Sequence, residues 1–435
     1  MPYASLGAPV PTTDLPAARP TTTPQPAAAP RPGQIPAVVW VLMAGASLVR
    51  AAGFAYPFLS YRLGELALST RGVSMILAAF GVGWFIGQIV LGRLADAVGR
   101  RAALVGSMLL SAMALPLLGA LSHPAAVAGA AVVAGAVYDA PRPIITAVVA
   151  DTVPDDATRA SISGWRHFGT NVGAAATGAA GGLLSGTTGL ATLYWINAAA
   201  CGAFALTALA CMPHDRPARP GAGARNQGRA SYRIAATDAR LWLLWLVSLA
   251  ALIPVVGLFS ILPLLMDNAG LPASAYGWTQ VASACTVLVL SVPLNRWLAR
   301  RAARGTSMVP LLAVSSLILG AGLGSAGLAE STTQYVVAAC IGIPGEIVVF
   351  VAATALLDQI TPPHARGLYA GIWGSTLAAA VICAPVIAGW SLAEGGPQLV
   401  AATTALCGLL GALACLPLSL LLHHSHTPST TWRTL

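Results

Sequence analysis

The chain contains no lysine: all 23 of its basic residues are arginine, set against 14 acids. Charge of either sign is scarce, at 9% of 435 residues, while 56% are hydrophobic. So little charge cannot coat a water-soluble domain of this size, and apolar stretches of about 20 residues, enough to cross a bilayer, recur from end to end. No GxxxxGK[ST] phosphate loop occurs, and no polar segment is long enough for a nucleotide-binding domain, so ATP is not implied as the energy source. The seven cysteines (Cys201, Cys211, Cys285, Cys340, Cys383, Cys407, Cys415) fall in or at the ends of apolar stretches without metal-type spacing and read as small buried hydrophobes. His423, His424 and His426 cluster near the C-terminus without partner ligands, so neither a metal nor a cofactor is expected. Residues 1–35, rich in Pro, Ala and Thr, lack the pattern of a signal peptide and read as a disordered cytoplasmic tail.

What is there is an all-α integral membrane protein. Twelve spans are predicted near 36–61, 70–91, 101–121, 125–150, 160–184, 188–211, 241–266, 274–298, 307–328, 333–358, 367–390 and 398–422. The polar stretch 213–240 divides them six and six, giving an N-terminal bundle (36–212), a cytoplasmic linker (213–240), a C-terminal bundle (241–422) and a short cytoplasmic tail (423–435). The arginines set the orientation by the positive-inside bias. One set of connections holds Arg93, Arg100, Arg101, Arg159, six arginines from Arg216 to Arg240, Arg296, Arg300, Arg301, Arg304 and Arg366, whereas the opposite set holds only Arg62 and Arg71. Both termini are therefore expected in the cytoplasm. The basic excess is topological and does not call for a nucleic-acid partner. All-arginine usage with abundant Ala and Gly is the composition of a high-GC bacterial genome, which points to the inner or plasma membrane.

A trace of internal duplication survives. Asp139, Asp151 and Arg159 are spaced 12 and 8 apart across span 4 and its exit, and Glu346, Asp358 and Arg366 repeat that spacing across span 10. Leu294, Arg300 and Arg301 likewise echo Leu94, Arg100 and Arg101. Between spans 2 and 3 stands Gly92-Arg93-Leu94-Ala95-Asp96-Ala97-Val98-Gly99-Arg100-Arg101, read as a short charged loop. This run resembles the loop between helices 2 and 3 of major facilitator superfamily transporters, and the parallel six-helix repeat agrees with it. The resemblance implies two six-helix bundles rocking about a central site. It also implies a cytoplasmic gate of Gly92, Asp96, Gly99, Arg100 and Arg101 with Asp151 at the end of helix 4 and Arg159 nearby.

Asn171, Gly173, Gly178, Gly181 and Gly182 resemble the glycine-rich helix-5 motif of proton-driven exporters in that superfamily, and read as a packing motif in which small residues let helices approach. The Gly-Pro step of that motif is Thr177-Gly178 here, without the proline. Gly345-Glu346 with Ala365-Arg366-Gly367 looks like helix 10 and its exit in drug/proton antiporter-like and peptide-transporter-like members.

Charge inside the membrane points to mechanism, because each ionised residue near the centre costs about 2.5–3.5 kcal/mol even on a lenient scale. Arg50, Asp139, Arg142 and Glu346 sum to zero and are expected to face one polar cavity, with Tyr56 and Tyr138 beside them. Asp139 and Arg142 share a helical face and pair locally. Pro141 and Pro143 should distort helix 4 there. Asp139 thus has a cation to hold it ionised, whereas Glu346 has none close in sequence and is the favoured proton carrier. The reading is a secondary active transporter, a monomer and not an enzyme, moving a small organic molecule with protons, export being implied by the drug/proton antiporter-like resemblance. Uptake by proton symport is the alternative, and a membrane sensor a third.

Overall fold

The computed structural model describes residues 35–153, 155–213, 233–362 and 365–424. The expected N-terminal tail, most of the linker and the C-terminal residues from 425 onward lie outside them. The described residues are helical apart from short connections. In chain order the helices are α1 (Ala37–Ala51), α2 (Leu59–Glu65), α3 (Thr70–Val98), α4 (Arg100–Ala120), α5 (Pro124–Tyr138), α6 (Pro141–Thr152), α7 (Asp156–Thr187), α8 (Leu190–Cys211), α9 (Ala239–Asn268), α10 (Ala273–Ala303), α11 (Val309–Ala326), α12 (Thr332–Ile360) and α13 (Arg366–His424).

Among the described residues nine helical segments are long and apolar enough to cross a membrane. The last is α13, whose 59 residues are far more than one crossing needs. It folds back at Gly395–Gly396, where Gly396 takes φ 68° and ψ −165°, a region essentially closed to residues with a Cβ. Counting its two arms separately and adding α1–α2, which is broken, and α7, which is diluted by Arg159, Arg166 and small polar residues, is consistent with the twelve expected passes.

Local sequence signals fix the helix starts. Ser69 accepts from the Gly72 N–H at 3.2 Å to open α3, and Asp155 accepts from Thr158 N–H at 2.7 Å to open α7. Ser331 and Gln334 form a reciprocal capping box on α12. Asp238 caps α9 and also accepts from the Tyr369 hydroxyl at 2.9 Å, tying α9 to the first arm of α13.

Two readings need correction. The run 92–101 is not a loop: α3 continues to Val98 and α4 begins at Arg100, so Gly99 alone makes the connection, with φ 96°. Leu94, Ala95 and Ala97 are good helix formers, and nothing before Gly99 stops the helix. Conversely, the first span is not one helix, since 52–58 unwinds between α1 and α2.

The helix pairings repeat between the halves. In the first half α4 packs on α8, α3 on α5 and α1 on α7; in the second, α11 packs on α13, α10 on α12 and α9 on α13. The structure thus matches the sequence echo, with equivalent spans meeting equivalent spans. Between the halves α7 packs on α10 and α3 on α13.

Candidate functional site

Two broken helices build the centre of the molecule. Gly53 and Pro57 interrupt the first span, and proline both lacks an N–H and disfavours helix in the residue before it. Unwinding frees backbone groups at membrane depth, which must be satisfied internally. The Thr177 hydroxyl on α7 lies 2.6 Å from the Arg50 carbonyl and 3.1 Å from that of Ala51, and Asn197 Oδ1 on α8 accepts from the Ala55 N–H at 3.3 Å. Span 4 breaks at Asp139–Ala140, between α5 and α6, as Pro141 and Pro143 require. In the equivalent span of the second half α12 runs unbroken through Pro344.

Around these breaks lies a cavity of about 480 Å³, within the range that holds a small organic ligand. Arg50, Tyr56, Tyr138, Asp139, Arg142 and Glu346 all line it. Asp139 accepts from Arg142 Nε at 2.8 Å and from Gln88 Nε2 at 3.4 Å. Arg50 Nη1 is 3.5 Å from the Tyr138 hydroxyl, and its guanidinium stands 5.5 Å from the centre of the Phe259 ring, a cation–π distance. Its Nε is buried with no hydrogen-bond partner among the described residues. Glu346 faces this group from the other half, close enough to interact electrostatically with Arg50. Among the described residues no hydrogen bond or ion pair engages its carboxylate.

Sequence reasoning left several wall residues unassigned. Arg166 is the most consequential: it lines the cavity and donates to Thr146 Oγ1 at 2.7 Å, turning the expected zero balance into a formal excess of one positive charge. Its signal was an arginine within a predicted span. Trp84, Phe259, Gln280 and Ser283 also line the wall. Asn171 was grouped with the packing glycines and belongs here instead, because the small residues of α7 face α1 and α10 while Asn171 faces the cavity.

Those glycines are contact points. A Cβ on Gly178 would stand 2.6 Å from Gln280 Cβ and 2.7 Å from the Gly277 carbonyl oxygen, and one on Gly182 3.2 Å from Gly277 Cα. Gly173 and Gly181 receive α1 and the unwound segment, with Arg50 Cγ at 3.0 Å and Phe58 Cε2 at 2.4 Å from their Cβ positions. The named contacts between halves lie toward the arginine-poor end. There Phe58 and Tyr61 pack on Tyr276 with ring centres 5.4 and 6.0 Å apart, Gly64 abuts Asp267, and Arg71 on α3 pairs with Glu394 on α13. Arg142, about half exposed, and the exposed Ser163 and Thr170 mark the opposite mouth of the cavity, toward the arginine-rich end.

At that arginine-rich end, Arg100 Nη1 donates to the Ala147 carbonyl on α6 at 2.7 Å, Arg101 to the Leu209 carbonyl on α8, and Arg159 to the Val153 carbonyl at 3.2 Å. The surroundings of Gly92 and the side chains of Asp96 and Asp151 lie outside the described set.

A helical membrane bundle around one charged central cavity, sealed at one end, defines a secondary transporter. The sequence model of the Major Facilitator Superfamily matches residues 39–376, and the chain belongs to that superfamily. Among solved structures, a POT family transporter in complex with a thioalcohol-conjugated peptide is similar over 90% of this chain and 97% of its own, with a TM-score of 0.73 at 11% identity. The nucleoside transporter NupG gives a TM-score of 0.68 at 15% identity over 88% and 99% of the two chains. A peptide transporter POT in complex with sulfate gives 0.70 at 16% over 89% and 95%. No curated protein matches the sequence.

Proposed function

We propose that this protein is a proton-coupled secondary transporter that carries a small organic molecule through the central cavity by alternating access. The observation that carries this reading is Glu346: an acid at membrane depth that lines the same cavity as Arg50 and whose carboxylate, among the described residues, takes part in no hydrogen bond or ion pair. A buried carboxyl without a partner is costly to ionise, and one that shares a cavity with the cargo couples its proton to the cargo's binding. Asp139, by contrast, is occupied by Arg142 and Gln88.

The two six-helix halves, 36–212 and 241–422, move about this site, with the linker 213–240 and both termini in the cytoplasm. In this state the cavity is open to the cytoplasm and closed outside. Gly92, Asp96, Gly99, Arg100, Arg101, Asp151 and Arg159 form the opposing cytoplasmic gate, assembled when the halves rock the other way.

Export of a drug-like or natural compound in exchange for protons is the direction that the resemblance implies. Co-transport is a second reading, favoured by α7 itself, which runs unbroken from Asp156 to Thr187 with Thr177-Gly178 where exporters of this superfamily carry Gly-Pro. Proton movement in proteoliposomes containing the purified protein, with a panel of organic cations, anions and neutral compounds, tests both. Compound-dependent proton flux that disappears in Glu346→Gln supports the coupling, and its sign gives the direction. Compound flux without proton flux in the wild type refutes it.

A further inference from the structure

We infer that the transported molecule is an organic anion, its negative group held by Arg50 and Arg166 and its apolar body lying against Trp84, Tyr138 and Phe259. The inference rests on the cavity being the cargo site. Three arginines and two acids line the wall. One arginine, Arg142, is neutralised by Asp139. Among the described residues neither Arg50 nor Arg166 forms an ion pair: the first is hydrogen-bonded to the Tyr138 hydroxyl and packs on the Phe259 ring, and the second donates to the Thr146 hydroxyl. The remaining acid, Glu346, lies across the cavity within electrostatic range of Arg50, and among the described residues it forms an ion pair with neither arginine, so the three arginines of the wall outnumber its two acids.

A guanidinium without an ion-pair partner in a mostly apolar wall is costly, and a partner that arrives and leaves offsets that cost. A cationic cargo meets a positive excess, and a neutral one leaves both guanidinium groups unpaired. A carboxylate or phosphate matches their planar donor fork and gains charge-assisted hydrogen bonds. The two arginines serve one region, because Arg50 packs on α7 at Gly173, seven residues and about 10 Å along the axis from Arg166, within reach of two long side chains. The start of α6 supplies no rival anion seat: Pro141 and Pro143 have no N–H, and the Arg142 N–H is already bonded to the Asp139 carbonyl at 3.2 Å.

The test measures binding to the purified full chain by thermal shift, using three matched probes that differ in charge: 1-naphthoate, 1-naphthamide and 1-naphthylmethylammonium, with 1-naphthyl phosphate as a second anion. At least one anion is expected to stabilise the protein at concentrations at least tenfold below those needed for the amide or the ammonium. Arg166→Gln is expected to weaken that anion at least tenfold, and Arg166→Lys to recover part of the loss. Arg50→Gln should behave alike, and if that variant does not fold, the partly exposed Arg166 carries the test. Equal stabilisation by the amide or ammonium, no anion exceeding its neutral partner, or an anion affinity unchanged in Arg166→Gln overturns the inference. Anion binding and transport without any proton flux would sink the proton-coupling reading and leave this one standing, whereas proton-coupled movement of neutral compounds alone would do the reverse.

Discussion

Gly178→Ala should open the arginine-poor end of this protein. The added methyl would lie 2.6 Å from Gln280 Cβ, 2.7 Å from the Gly277 carbonyl oxygen and 3.1 Å from Val281 N, so two of its three neighbours are backbone and cannot swing aside. Ordinary contact needs about 3.5–4.0 Å, which forces α7 and α10 roughly 1 Å apart. Overpacking of this kind costs about 1–3 kcal/mol, and only in the state where the two helices touch. The helix-propensity gain of alanine over glycine, about 1 kcal/mol, applies in both states and cancels. The population should therefore move about 5–150-fold toward the conformation in which this end is apart. Spin labels at cysteines replacing the exposed His123 and Leu328, one in each half, in a background without the seven native cysteines, report the separation by pulsed electron resonance. A longer-distance population is expected in Gly178→Ala and in Gly277→Ala, but not in Gly106→Ala, where nothing lies within 4 Å of the added carbon. Wild-type distances in both interface variants would refute the argument that glycine contact holds this end closed.

The Arg71–Glu394 pair joins the halves at the same end, but both side chains are about half exposed or more, so each single charge reversal should cost about 1 kcal/mol or less. The swapped double variant Arg71→Glu/Glu394→Arg should restore the wild-type distance distribution, and failure of that rescue would remove the pair from the closure. Thr177→Val removes a hydroxyl whose single hydrogen is within reach of the Arg50 and Ala51 carbonyls at the unwound end of α1 and of the Gly173 carbonyl on α7, and should lower stability by about 0.6–2 kcal/mol, read as a fall in Tm in detergent, while Thr177→Ser should retain most of it. Asp238 gives a pH signature outside the membrane. Burial pushes its carboxyl up, but hydrogen bonds from the Arg240 side chain, the Tyr369 hydroxyl and the Arg240 N–H outweigh this and hold it below the ordinary value. Its folded pKa is depressed, so its contribution is present above the unfolded value near 3.9 and is lost as pH falls through the folded one. The Tm gap between wild type and Asp238→Ala, from a cap worth about 1 kcal/mol, should be constant at neutral pH and shrink in acid.

Much of the fold was legible because the bilayer leaves few choices: apolar runs of one crossing each had to be helices. The cavity was legible for the same reason. Arg50, Asp139, Arg142 and Glu346 stand out only because charge at that depth needs a polar surround, and all four line one cavity. Arg166 is visible in the sequence as an arginine inside a predicted span, like Arg50 and Arg142, but its place on the wall of the same cavity is tertiary. The unwinding at 52–58 is paid for by Thr177 and Asn197, more than a hundred residues away, and no local pattern announces such partners. Composition also misled at 92–98, where charged and small residues suggested a loop although the backbone has no reason to leave the helix before Gly99. Gly178 and Gly277 were visible as glycines, but their meeting across the two halves is purely tertiary.

The central claim is that Glu346 carries the proton that drives movement of the cargo. It is tested most directly by comparing, in proteoliposomes, pH-gradient-driven net transport with gradient-free exchange of the same labelled compound, for wild type and Glu346→Gln. Glu346→Gln is expected to lose net driven transport and proton flux while exchange continues, because the cavity and its rocking survive without the titrating group. Net transport and proton flux that persist in Glu346→Gln would contradict it.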